Sequence, residues 1–87
     1  MNDKIFIRVY VPSLLKKFEI FIPYNEKIDI IIKDCIKVFF ELSDGRFNVR
    51  GKFILANKNS GVLYSKNQII IDTDIRNGTE LLLLEEQ

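Results

Sequence analysis

A chain of 87 residues is long enough for one domain, and its 47% apolar and 29% charged content, with only four glycines and two prolines, excludes disordered and fibrous classes. One cysteine excludes an internal disulfide and a cysteine-rich zinc site, and the lack of histidine removes the commonest general base and metal ligand. A formal net charge of +1 gives no overall field toward nucleic acid or anionic membranes.

The first residues, 1–4, are polar and lead straight into alternating apolar positions, which is not the pattern of a signal peptide. The aliphatic runs 30–32, 69–71 and 81–84 are far shorter than the ~18–20 residues that cross a bilayer. The expectation is one cytoplasmic domain over residues 1–87, with no insertion into a membrane.

Residues 4–11 alternate strictly. Ile5, Ile7, Val9 and Val11 share one face and Lys4, Phe6, Arg8 and Tyr10 the other, which predicts a strand. Pro12 and Ser13 break it, and residues 17–22 alternate again with Phe18, Ile20 and Ile22 on one side. Two such runs with a short break predict an antiparallel hairpin. Pro23 ends the second strand, and Asn25 is the expected helix N-cap, with Glu26 in the first turn.

Over 27–42 the period changes to that of a helix. Ile28, Ile31, Ile32, Cys35, Val38, Phe39 and Leu42 fall on one face, and Asp29, Lys33, Lys37 and Glu41 lie opposite. Ser43-Asp44-Gly45 is its stop signal. A third strand is expected over 52–56, a turn over 57–61 and a short strand over 62–64. Residues 69–75 carry Asp72 and Asp74, which favour a turn or a single helical turn. Asn77-Gly78 marks another turn before a closing strand at 81–84.

The order strand, strand, helix, strand, short strand, strand resembles the ubiquitin-like β-grasp, an α+β fold with a mixed four- to five-stranded sheet packed on one helix. The local sequence adds to this: Lys52-Phe53-Ile54-Leu55-Ala56-Asn57-Lys58 looks like the third-strand segment of ubiquitin, and Ile70, Asp72, Ile75 and Leu81 look like its short helical turn and last strand. The ending Ile75-Arg76-Asn77-Gly78-Thr79-Glu80-Leu81 is similar to the YukD and EsaB family, small bacterial ubiquitin-like proteins associated with type VII (ESX-like) secretion. The resemblance implies an accessory or regulatory binding module of such a system, meeting a secretion component or a substrate. A stand-alone ubiquitin-like adaptor and a diverged sulfur carrier or modifier are the alternatives.

Modifiers and sulfur carriers activate a flexible Gly-Gly terminus. Here the last residues are Leu84-Glu85-Glu86-Gln87, whose bulk and charge argue against such an activating site. Cys35, on the apolar helix face away from Lys33 and Lys37, is expected to be a buried hydrophobe and not a thiolate nucleophile. Asp72 and Asp74 are read as capping or solvated residues. The basic positions Arg46, Arg50, Lys52 and Lys58 are read as a solvated loop and strand, and without a stacking motif they point to no nucleic acid. No catalytic residue, metal or cofactor is expected.

The feature that asks for a function is apolar content on the outer side of the sheet. With the inner rows packed on the helix, Phe6, Tyr10 and Phe21 must face outward. By the ubiquitin-like resemblance Leu81 and Leu83 point inward, and Ile54, Leu82 and Leu84 join the outer row. These six residues, Phe6, Tyr10, Phe21, Ile54, Leu82 and Leu84, are the expected protein-binding surface, for a partner or a second copy of the chain, with Arg8, Lys17 and Glu19 as a polar rim.

Overall fold

The computed structural model describes residues 3–45 and 51–86. Strand β1 runs Lys4–Val11 and β2 runs Lys16–Pro23, and every second residue of β1 is buried from Ile5 to Val11, as the alternation requires. Between them Pro12–Leu14 form one 3-10 turn. Leu15 closes it in the left-handed conformation at φ 52°, its N–H donating to the Pro12 carbonyl at 3.1 Å.

Helix α1 spans Ile28–Leu42. Asn25 does not cap it. Lys27 holds the N-cap position without a capping side chain, and the first free N–H groups are taken up by backbone: Ile28 donates to the Gln68 carbonyl at 2.9 Å and Asp29 to the Lys66 carbonyl at 3.1 Å. The long segment after β3 thus folds back onto the helix entrance. At the other end Ser43 donates to the Phe39 carbonyl and Gly45 to that of Phe40, with Gly45 at φ +80° where a side chain would be strained.

Strands β3 (Lys52–Asn57) and β4 (Thr79–Glu86) complete a four-stranded sheet in the order β2-β1-β4-β3. The two outer pairings are antiparallel and the central β1–β4 pairing is parallel, so the sheet is mixed. The expected strand over 62–64 is not formed; a single bridge joins Ala56 to Leu63. Val62 and Leu63 are exposed and Tyr64 is buried, and two backbone bonds hold the segment to β3: Asn57 N–H donates to the Val62 carbonyl at 2.8 Å and Tyr64 N–H to that of Leu55 at 3.0 Å. Residues Ile70–Asp72 form one 3-10 turn.

The inner sheet face and α1 share one core. Ile7, Val9, Val11, Ile22, Leu55, Leu81 and Leu83 meet Ile28, Ile31, Ile32, Cys35 and Phe39, and Ile70 and Ile75 close it from the long connection. Each fully buried aliphatic side chain stabilises the fold by about 1.5–3 kcal/mol relative to exposure. Phe18 meets Phe39 edge to face at 4.1 Å. The apolar helix face is shorter than the sequence pattern suggests: Val38 is only half-buried and Leu42 is 66% exposed. Leu42 lines a groove of about 450 Å³ between the helix end and Leu14, Lys16 and Lys17, where no described side chain packs against it fully.

Candidate functional site: the outer face of the sheet

The register places the outer residues in rows across the strands. Paired residues in neighbouring strands carry their side chains on the same face. Phe21 pairs with Phe6, Glu19 with Arg8, and Lys17 with Tyr10 across β2–β1. The parallel pairing then adds Glu80 beside Arg8 and Leu82 beside Tyr10, and β3 adds Ala56 beside Leu82 and Ile54 beside Leu84. All six residues expected on this face therefore lie on it. Phe6, Tyr10, Ile54, Leu82 and Leu84 are half-buried, and Phe21 is 64% exposed.

They do not form one patch. The row Glu19–Arg8–Glu80 crosses the middle of the face, so two of the charged residues expected at the rim run between the apolar groups instead. Arg8 Nε donates to Glu19 Oε2 at 2.8 Å, and this bond raises the guanidinium pKa. Tyr10 Oη donates to Glu80 Oε2 at 2.7 Å, which lowers the carboxylate pKa and raises that of the phenol. On one side of the band the Phe6 and Phe21 rings meet in a tilted contact, 5.5 Å between centroids, with the Arg8 guanidinium 5.5 Å from the Phe6 ring. On the other side lie Tyr10, Leu82, Ala56, Leu84 and Ile54.

Lysines surround the second cluster. The ammonium groups of Lys17 and Lys58 lie 5.8 and 4.9 Å from the centre of the Tyr10 ring, within cation–π range. A shallow groove of about 430 Å³ opens there, lined by Tyr10, Leu15, Leu82, Lys16, Lys17 and Lys58 together with Val11 and Pro12. Sequence reasoning missed Leu15. Its 92% exposure follows from the left-handed turn, and the Leu14-Leu15 pair in the break between strands has no periodic signature.

Cys35 and Asp74 have structural roles. Cys35 is buried, and desolvation pushes its thiol up to about 12, so it is no thiolate near neutral pH. Asp74 accepts a hydrogen bond from Tyr64 Oη, and Asn57 Nδ2 donates to the same oxygen at 3.2 Å. Asn57 Oδ1 in turn accepts from Asn59 and Ser60 N–H, which fixes the turn after β3. Asp72 is exposed. Arg46 and Arg50 lie outside the described residues, while Lys52 is exposed on the outer end of β3. Among the described residues there is no cluster of three acidic, cysteine or histidine side chains able to hold a metal, and no helix is long and apolar enough to cross a membrane.

No family model matches the chain, and no curated protein matches it in sequence. Solved structures do match its fold. The EccD5 ubiquitin-like domain from Mycobacterium xenopi is similar at a TM-score of 0.78 and 13% identity, with 99% of this chain and 98% of that one covered. A chain of the MycP5-free ESX-5 inner membrane complex is similar at 0.77 and 13% identity; the match takes in 98% of this chain but only 21% of that one. A chain of the toluene 4-monooxygenase HD complex with 4-bromobenzoate is similar at 0.76 and 13% identity, covering 95% and 99%. The chain has the ubiquitin-like β-grasp fold, one helix on a mixed four-stranded sheet.

Proposed function

We propose that this chain is a non-catalytic, non-conjugating ubiquitin-like binding module of a type VII (ESX-like) secretion system, acting in the cytoplasm on a secretion component or a substrate. The observation that carries the reading is the end-to-end match to the EccD5 ubiquitin-like domain, together with the match to a segment of an ESX-5 membrane-complex chain. The ending over 75–81 that resembles YukD and EsaB points the same way. Binding is assigned to the outer sheet face bearing Phe6, Tyr10, Phe21, Ile54, Leu82 and Leu84, where Phe21 is exposed and the other five are half-buried. A non-catalytic role is supported by the inert Cys35 and the histidine-free composition.

The same fold in a monooxygenase complex favours a second reading, an adaptor in a complex unrelated to secretion. Deleting the gene in its host and measuring export of small helical-hairpin substrates separates the two. Loss of export, restored by the wild-type chain, is the expected result. Unchanged export would overturn the secretion role. A covalent adduct on Gln87, found by mass spectrometry of the protein from its host, would overturn the non-conjugating one.

A further inference from the structure

We infer that the groove between the β1–β2 turn and Leu82 is a docking site for an acidic segment of a partner protein that carries one large apolar side chain. This rests on the reading of the outer face as a binding surface, and it names the partner's chemistry and the half of the face that takes it.

Three observations converge on the groove. Its floor is apolar, formed by the Tyr10 ring and Leu82, and the register continues it into Ala56, Leu84 and Ile54. Its charged lining is entirely cationic: Lys16, Lys17 and Lys58, with no carboxylate among the lining residues. Among the described residues none of these lysines makes an ion pair. Glu80 stands in the neighbouring row, where it accepts the Tyr10 hydroxyl and is within electrostatic reach of Lys58. The third observation is Leu15, a large apolar residue in a left-handed conformation, 92% exposed on the groove's lip. A leucine at φ 52° is strained relative to glycine, and the strain gains no packing within the chain.

An apolar floor under a cationic rim selects a complementary ligand. A large apolar side chain covers Tyr10, Leu15 and Leu82, and flanking carboxylates reach the lysine ammonium groups. Polyphosphate backbones offer the charge without the apolar anchor. A two-fold contact of the chain with itself through this groove would set each lysine cluster against its copy. The Phe6–Phe21 cluster lies beyond the Glu19–Arg8–Glu80 band, which presents two carboxylates to an acidic ligand and so keeps it on the lysine side.

The test is a titration of the isotopically labelled full chain with a synthetic peptide of Glu and Asp residues around a central Phe, followed by amide chemical shifts. Shifts centred on Tyr10, Leu15, Lys17, Lys58 and Leu82 are expected, with affinity falling as salt rises. K17E/K58E should weaken binding about tenfold or more, and L15S and a peptide with Ser for Phe should each weaken it several-fold. F6S/F21S should bind as wild type. The variants change side chains outside the core, and their circular dichroism verifies the fold. The inference is overturned if no shifts arise at millimolar peptide, if they centre on Phe6 and Phe21, or if K17E/K58E binds unchanged. Binding to phosphatidylserine vesicles in place of the peptide would overturn it as well. The titration is independent of secretion: unchanged export on gene deletion removes the secretion role and leaves the groove standing, and a failed titration does the reverse.

Discussion

Tyr10 reaches diagonally across the parallel pairing of the first and last strands to donate its hydroxyl to Glu80, at 2.7 Å. This bond holds the Glu80 carboxylate below its ordinary range. In Y10F the Glu80 pKa should return toward the usual ~4.3, read by carboxyl chemical shifts against pH. A carboxylate with a lowered folded-state pKa stabilises the fold above its ordinary pKa and loses that contribution as pH falls through the lowered value. The acid sensitivity of wild type that Y10F lacks should therefore lie below about pH 4.3.

The core prediction concerns α1. Ile31 and Phe39 are both fully enclosed, Phe39 under the edge-to-face ring of Phe18. I31A and F39A should each lower unfolding free energy by about 2–5 kcal/mol, measured by urea denaturation. For a domain whose total stability is of order 5–10 kcal/mol, either change should depress the melting temperature sharply. Leu42, on the same face by pattern but 66% exposed, should tolerate alanine within about 0.5 kcal/mol.

Alkaline unfolding should report on Tyr64. Burial, reinforced by the hydrogen bond to Asp74, pushes its phenol up to about 12. A raised folded-state pKa gives stability that is complete below the unfolded value of ~10 and is lost as pH climbs toward the folded value. Wild type should lose stability steeply between those limits. Y64F, which cannot ionise, should show a shallower decline in the same window, at the cost of leaving Asp74 and Asn57 without their shared partner.

Asn77 and Gly78 should be sensitive for different reasons. Asn77 Oδ1 accepts the Phe6 N–H at 2.9 Å, and Gly78 N–H donates to the Phe6 carbonyl at 2.8 Å, so this turn locks onto β1 ahead of the strand pairing. N77A removes an acceptor and should cost about 1 kcal/mol. G78A meets no steric obstacle, yet its φ of +84° should make it cost about as much through backbone strain alone. Denaturant midpoints of the two variants check both.

Much of this architecture is legible in local patterns. Strict alternation assigns every buried residue of β1, because period two leaves no other face for Ile5, Ile7, Val9 and Val11. The helix period likewise marks Ile28, Ile31, Ile32, Cys35 and Phe39. The four leucines at 81–84 carry no period at all, and only their place in the ubiquitin-like order assigns their faces. The helix entrance was misread because carbonyls of Lys66 and Gln68 satisfy it, and backbone acceptors leave no residue signature. The charged band was hidden for a related reason. Glu80 joins Arg8 only through a pairing of strands at opposite ends of the chain, so the division of the outer face depends on register rather than on any local run.

The parallel contact between Arg8 and Glu80 also dictates the order in which the molecule can assemble. Closing a loop of that span costs roughly 4 kcal/mol of chain entropy before any pairing is gained, far more than the turn joining β1 to β2 requires. The first hairpin and the helix can form early, but the centre of the sheet must wait for the last strand to emerge from the ribosome. Until then β1 presents an unpaired flank of backbone donors and acceptors beside its isoleucines and valines. That flank is a template for any other extended chain nearby, and the interval before β4 fills it is when this small protein is most exposed to misassembly.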